Sequence, residues 1–369
     1  MNAITVVMLC FSALGAIDRI FGNRLGLGKE FEKGFMLLGV MALSMIGMIV
    51  ISPFLAQLLA PFFDFFYSVF RIDPSIIPAS LFANDMGAAS LSQSIAKDPL
   101  LGGFNGLVVS SMMGCTISYT IPVSLNVVAK SHHKDMLTGF LCGIVTIPFG
   151  SFVAGLVCGI PVLALLWNLF PLFLFAALVA VGLYLCPNVC VKIFEWLGFL
   201  MNALITVGLV LGVIEYLTKW EIVPAFASLE EASMICVNAA AVISGAFPLL
   251  FLVGKVLAKP LGFASRKLQI NETSALGLLS TLATSMPTFE MMGKMDKKGT
   301  VYNAAFLISA AFTFAGHLAF TMAFDASYIF PMMVGKLTAG VLALLVAHIL
   351  YKRMNPSEAP QPLQDPQEG

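Results

Sequence analysis

A single carboxylate interrupts an otherwise apolar part of the chain, in the stretch "ASLFANDMGAAS" at residues 79–90. Asp85 is its acid, Asn84 precedes it and Gly87 follows it. A carboxylate at the centre of a bilayer costs roughly 2.5–3.5 kcal/mol even on the most lenient scale, so it normally faces a cavity, a partner or a bound cation. An aspartate before a helix also caps it by accepting backbone N–H groups. The stretch predicts a substrate or ion contact at Asp85, with capping as the alternative.

A second polar interruption is "TLATSMPTFEMMGKMD", in which Thr284 and Ser285 occupy the positions of Asn84 and Asp85. Pro287 breaks the helix there by removing a backbone donor. The two hydroxyls either complete the same site or only satisfy freed backbone groups, and the sequence leaves both readings open. Glu290 lies one turn before Lys294, which favours a structural pair on the helix over a second cation ligand.

Two further ionisable residues lie within apolar runs. His317, in "FAGHLAF", fits a role in binding or proton linkage as well as it fits a hydrogen-bonded packing role. Lys336, in "FPMMVGKL", lies about ten residues into the last run, or about 15 Å along a helix. That depth is large for a lysine that reaches back to the surface, so we expect an ion pair with Asp85 or another buried acceptor.

The composition indicates which elements position these residues. Of 369 residues, 59% are hydrophobic and 11% charged, and the mean hydropathy is +0.93. A soluble domain cannot carry so apolar a surface, so the chain is predicted to be an integral membrane protein whose partner is the lipid bilayer. Its spans should be α-helices, because backbone groups in lipid must be satisfied internally. The net charge of zero gives no reason to expect a nucleic-acid partner.

The distribution of charged loops predicts how the chain crosses the membrane. Lys and Arg cluster near residues 19–33, 130–134, 255–267 and 352–353, whereas the region 215–231 is acidic. Cytoplasmic loops are enriched in Lys and Arg, so the first four regions should be cytoplasmic and the acidic one external. This alternation holds only if the interrupted segments 75–96 and 272–293 are re-entrant hairpins. The first would enter from outside and the second from the cytoplasm.

An internal repeat follows from this topology. Residues 1–158 and 193–351 each give two spans, a hairpin and two spans, and residues 159–192 supply one linking helix that inverts the second half. The fold class is therefore predicted to be an all-α polytopic membrane protein with an inverted repeat and two broken-helix hairpins, an architecture of secondary transporters. Residues 352–369 are polar and Pro-rich, which predicts a disordered cytoplasmic tail.

Catalytic motifs are missing from the sequence. It contains no HExxH, no GxSxG and no phosphate-binding glycine loop. Seven cysteines show neither zinc nor disulfide spacing, and four histidines leave little for a metal site. We expect no enzymatic activity, no cofactor and no bound metal.

Several runs resemble one known family: "NDMGAAS", "SSMMGCTISYTIPV", "GIVTIPFG", "FEMMGKMDKKGTVYNAAF" and "IFPMMVGKL". From about residue 30 to about residue 350 the chain is similar to the ethanolamine permease family of bacterial ethanolamine-utilisation operons, usually called EutH. The resemblance implies a multi-pass permease of the bacterial inner membrane, with a cytoplasmic C-terminus, that admits ethanolamine chiefly in its protonated form. The family's aspartate matches Asp85 and its histidine matches His317.

The chain departs from that family pattern beside the second interruption. The pattern has two asparagines at Thr284 and Ser285, a glycine at Glu290 and an aspartate at Gly316. These departures make a related small amine an alternative to ethanolamine, with Glu290 replacing the missing carboxylate. The predicted substrate-binding residues are Asn84, Asp85, Thr284, Ser285, Glu290, His317 and Lys336.

Alternating access is the expected mechanism, with the substrate's ammonium near Asp85 and its hydroxyl near Asn84, Thr284 and Ser285. The alternative is an ion-coupled symporter for another small polar metabolite, in which Asp85 holds the cation and Lys336 an anionic substrate. The sequence leaves open whether copies associate into a homo-oligomer.

Overall fold

The computed structural model describes residues 3–355, with the backbone alone at residue 3 and at 257–267. The chain is helical in this part and forms no β-strand there. Its helices are Ala3–Ile20, Leu27–Phe70, Ile76–Leu81, Ala88–Ile95, Pro99–Val127, Lys130–Val157 with a turn at 145–146, Val162–Leu185, Pro187–Thr218, Leu229–Leu268, Glu272–Thr281, Met286–Met291, Lys297–Ala310, Gly316–Phe324 and Ile329–Met354. The last helix includes the first residues of the predicted tail, and residues 356–369 of that tail lie outside the described part.

Long apolar helices dominate the architecture. Among the described residues, seven helices are long and apolar enough to cross a membrane. The longest, Leu27–Phe70, has 44 residues and spans about 66 Å at 1.5 Å per residue, more than the ~30 Å hydrocarbon core. The prediction of an all-α polytopic membrane protein is confirmed.

The first helix of each half of the chain packs against the long second helix of the other half. Helix Ala3–Ile20 packs against Leu229–Leu268 of the second half, and Pro187–Thr218 packs against Leu27–Phe70 of the first. The two long partners, Leu27–Phe70 and Leu229–Leu268, also cross each other. An inverted repeat would produce this reciprocal packing. The repeat itself, with its boundaries at 158 and 193, stays a prediction.

Both interrupted segments return to the end of the bundle from which they start. Before the first one, the Asp73 carboxylate accepts hydrogen bonds from the backbone N–H groups of Lys97 and Asp98, which follow it, both at 2.9 Å. At the second, Asn271 donates from its backbone N–H to Asp296 Oδ1 at 2.9 Å. One aspartate therefore fastens the two ends of each segment together, which is the geometry of a hairpin. Their re-entry into a bilayer stays a prediction.

Two helices differ from the sequence-based expectation. The predicted second repeat places its third span on the apolar run 300–323, but this run is broken between Ala310 and Gly316. The helix Pro99–Val127 is wound as a π-helix over Phe104–Gly114 and Thr116–Thr120. π-Helical turns are rare and occur frequently at functional sites.

Candidate functional site

The first hairpin is broken by an extended pair and one tight turn. Phe82 and Ala83 have extended backbones, residues 84–86 form a single 3-10 turn, and Gly87 has a φ of 101° that only glycine adopts easily. The Ala83 N–H donates to Ser118 Oγ on the π-helical segment at 3.1 Å. The broken backbone is thus hydrogen-bonded by the helix beside it.

A glycine on the π-helical segment permits that contact. A Cβ on Gly114 would lie 1.9 Å from the carbonyl oxygen of Phe82. Carbon and oxygen atoms cannot approach so closely, so any side chain at position 114 would force the first break away from the helix.

The second hairpin is joined to the unexpected break at 311–315. Phe312 donates from its N–H to the Thr281 carbonyl at 3.1 Å, and Phe314 donates to the Leu282 carbonyl at 2.9 Å. Phe312 has a φ of 63°, a conformation that is strained for a bulky residue. Such strain persists where surrounding contacts over-determine it and concentrates at functional sites.

A cavity of about 1050 Å³ lies where the three breaks meet the π-helical segment. Its polar and aromatic lining consists chiefly of Asp85, Cys115, Ser118, Tyr119, Thr284, Phe312 and His317. It extends to exposed Lys33, Asn126 and Glu195, of which the first two lie within or next to regions predicted to be cytoplasmic. The cavity is therefore open at one end and large enough to admit a hydrated small molecule.

Asp85 is the acidic group at the inner part of this cavity. Its side chain is half-buried, and none of the ion pairs found among the described residues involves it. The rings of Tyr119 and Phe312 have centroids 5.7 Å apart, and those of Phe312 and His317 are 5.1 Å apart. Aromatic faces attract cations. The carboxylate and the row of rings therefore both suit a cation in this cavity.

Lys336 does not form the predicted ion pair with Asp85. Its Nζ instead donates to the Ser111 carbonyl at 2.6 Å and lies 3.0 Å from His317 Nδ1. Lys336 is fully buried and does not line the cavity, whereas His317 does. The π-helical segment thus supplies a carbonyl that solvates the ammonium, and the histidine separates the lysine from the cavity.

The remaining predicted residues occupy different environments. Thr284 lines the cavity. Asn84 is fully buried with neither its amide nitrogen nor its amide oxygen hydrogen-bonded. Ser285 is buried outside the lining, beside the hydroxyl of Tyr119. Glu290 is exposed and outside the lining, so it does not replace a carboxylate there. The cavity therefore brings together Asp85, Thr284 and His317.

The predicted set of substrate-binding residues lacks four members of this lining, Cys115, Ser118, Tyr119 and Phe312. Ser118 belongs to the polar run "CTISYT" inside an apolar helix, a signal that could have found it. Phe312 is one of 31 phenylalanines, and nothing in its neighbours predicts its unusual backbone. No group of three His, Cys, Asp or Glu side chains able to hold a metal ion occurs among the described residues.

Comparison with known proteins identifies the family. The family described as "Ethanolamine utilisation protein, EutH" matches residues 1–350. The chain belongs to the EutH family. It is 42% identical over 351 residues to "Probable ethanolamine permease EutH" of Listeria monocytogenes, covering 95% of this chain and 94% of that protein. No solved structure matches the chain.

More distant relatives match over the same extent. The protein of Salmonella typhimurium with the same name is 35% identical over 388 residues, covering 95% of each chain. The "Uncharacterized protein YxeR" of Bacillus subtilis is 33% identical over 346 residues, covering 94% of each chain. Together with the seven apolar helices, the permease relatives establish a multi-pass membrane protein. Of the four positions at which a departure from the family pattern is expected, Thr284 and Gly316 line the cavity, whereas Ser285 and Glu290 do not.

Proposed function

We propose that this chain is a permease for ethanolamine, taken in its protonated form, in the bacterial inner membrane. The observation that carries the proposal is the unpaired Asp85 carboxylate at the inner part of a cavity that is open at one end. A carboxylate in a low-dielectric site favours a cation, and relatives named as probable ethanolamine permeases supply the substrate class. Transport implies no enzymatic step.

The substrate's two polar ends have matching groups. The ammonium lies against the Asp85 carboxylate and the neighbouring ring of Tyr119, both on the cavity wall. The hydroxyl hydrogen is donated to Thr284 Oγ1 on the second hairpin. Both hairpins thus contact one small molecule, so its binding couples them.

Alternating access is the mechanism that this geometry supports best. The cavity extends to Lys33 and Asn126, next to basic regions that the charge distribution assigns to the cytoplasm, so this state is inward-facing and the C-terminus is cytoplasmic. The hairpins, each fastened at its ends by an aspartate, move against the remaining helices to open the other side. Broken helices that meet at a central site are typical of such transporters.

Uptake into proteoliposomes tests the proposal. Labelled ethanolamine should enter vesicles that contain the protein faster than empty ones, and the difference should be largest at acidic pH, where the neutral amine that diffuses unaided is scarce. Asp85→Asn should lower the protein-dependent uptake by about tenfold to a hundredfold, because a charge-assisted contact is lost. Asp64→Asn, at an exposed carboxylate paired with Lys97, serves as the matched control and should retain uptake.

Two outcomes would contradict the proposal. Uptake equal to that of empty vesicles would exclude an ethanolamine permease, and full uptake by Asp85→Asn would remove the charge role of that residue. The alternative of a symporter for an anionic metabolite has less support, because Lys336, its anion-binding group, is buried behind His317 and absent from the cavity lining.

A further inference from the structure

Lys336 is a buried amine whose two direct hydrogen-bond partners are neutral groups. Its side chain is 1% exposed, and no carboxylate lies within ion-pair distance of it in the described part of the chain. The Ser111 carbonyl, at 2.6 Å, and His317 Nδ1, at 3.0 Å, are its partners. An ammonium group has three donors and no acceptor, so both partners must accept.

With Lys336 in its charged form, this contact determines which ring nitrogen of His317 carries the hydrogen. A ring nitrogen that accepts a hydrogen bond carries a lone pair, so Nδ1 is unprotonated and the hydrogen of the neutral ring lies on Nε2. A doubly protonated imidazole would place a second positive charge 3.0 Å from the ammonium, an arrangement that is strongly repulsive in a buried site. The ring is therefore held as the neutral Nε2–H tautomer.

The tautomer determines what the cavity offers to a ligand. His317 belongs to the cavity lining, and Nε2 has no hydrogen-bond partner among the described residues. Since Nδ1 is engaged by the lysine, Nε2–H is the polar atom of this side chain that remains for a ligand. The cavity thus combines an anionic acceptor at Asp85 with a neutral donor at His317.

We propose that Lys336 is a positioning residue that makes the cavity selective for a hydroxylated amine. Through His317 it presents an N–H group that donates to the hydroxyl oxygen of the substrate while Asp85 accepts the ammonium. The inference rests on the proposed transport of ethanolamine and adds how the cavity discriminates a hydroxylated amine from other amines. An unhydroxylated amine leaves Nε2–H without a partner, and a diamine places a second ammonium against a donor.

The first test measures the tautomer without any ligand. The chain has four histidines, so nitrogen-15 NMR of histidine-labelled protein can be assigned by comparison with His317→Gln. The expected result is a neutral Nε2–H ring at His317 in the wild type. A neutral Nδ1–H ring or a doubly protonated ring in the wild type would overturn the proposal, whatever the variants do.

The second test measures selectivity by competition. Ethylamine should compete with labelled ethanolamine about tenfold to a hundredfold less well than unlabelled ethanolamine in the wild type, because a buried donor is left unpaired. Lys336→Met should bring the two inhibition constants to within about threefold of each other, as the ring is freed to change tautomer. Lys336→Arg, which also donates without accepting, should keep the wild-type ratio. Lys97→Met, at an exposed lysine outside the lining, is the control.

The outcomes separate the two proposals. A Lys336→Met chain that folds and keeps the wild-type ratio would overturn the role of Lys336. If Lys336→Met does not fold, the Lys336→Arg variant decides. A ratio of its ethylamine and ethanolamine inhibition constants near one would also overturn the role of Lys336. Wild-type vesicles that take up no ethanolamine would overturn the proposed function, and the NMR result would still decide the tautomer.

Discussion

The two polar side chains at the first break lie in different environments, although they are neighbours in the sequence. Asp85 faces the cavity, whereas its neighbour Asn84 is fully buried with both amide atoms unpaired. Leaving a buried polar group unsatisfied costs about 1–3 kcal/mol. Such a cost at the tip of a hairpin that lines a candidate site is typical of a residue retained for function rather than for stability.

Replacing Asn84 should separate stability from transport. Asn84→Leu keeps the approximate volume and removes the unpaired amide, so the melting temperature should stay the same or rise. Ethanolamine uptake should fall at least about tenfold if the amide contacts the substrate in another conformational state. Thermal unfolding in detergent and vesicle uptake measure the two effects. A large loss of stability would show instead that the amide supports the fold.

Three helix breaks, rather than two, build the cavity. The first depends on Gly87 and on the close approach at Gly114, and the second and third are joined by backbone hydrogen bonds from Phe312 and Phe314. Freed backbone groups at membrane depth are tolerated only where protein or a cavity satisfies them. Each break therefore depends on a neighbouring element, and the site cannot be assembled from one hairpin alone.

The contact at Gly114 can be tested by adding one methyl group. Gly114→Ala should destabilise the protein by about 1–3 kcal/mol, because its Cβ would lie 1.9 Å from the Phe82 oxygen and must displace the first break. Gly39→Ala is the matched control, since a Cβ there meets no atom within 4 Å and alanine favours a helix. Denaturation followed by tryptophan fluorescence compares the two. Equal stability of both variants would show that the Gly114 contact is not needed.

At the scale of the whole molecule, the cavity extends toward the side on which the regions rich in Lys and Arg are predicted to lie. The cavity extends to Lys33 and Asn126, beside the regions rich in Lys and Arg, while the acidic loop after Thr218 is far from them in the predicted topology. The predicted alternation requires that neither interrupted segment changes the side on which the chain continues. The contacts that Asp73 and Asp296 make across the ends of these segments agree with that prediction.

Cysteine labelling tests the topology. In a background without the seven native cysteines, an impermeant maleimide added to intact spheroplasts should label Glu221→Cys but not Lys134→Cys, which should react only after permeabilisation. Arg71→Cys and Lys97→Cys flank the first hairpin and should both react from outside. Opposite sides for Arg71 and Lys97 would contradict a re-entrant segment.

The sequence by itself determined that the protein lies in a membrane, that it is helical, and where the first two helix breaks occur. Its apolar composition requires a membrane protein, Pro287 and Gly87 interrupt their helices through local backbone chemistry, and a carboxylate at Asp85 needs a polar environment. These properties are local, since they depend on residue type and on neighbours within one or two helical turns. The family resemblance added the expected substrate class.

Only the tertiary structure decided the third break, the partner of Lys336 and the exclusion of Glu290 from the cavity. The 311–315 break has carbonyl partners at Thr281 and Leu282, and Lys336 has partners at Ser111 and His317. Each contact joins residues far apart in the chain, and a buried donor bonds whichever acceptor the packing brings within about 3 Å. Residue types fix which groups need partners, and packing decides which partners they find.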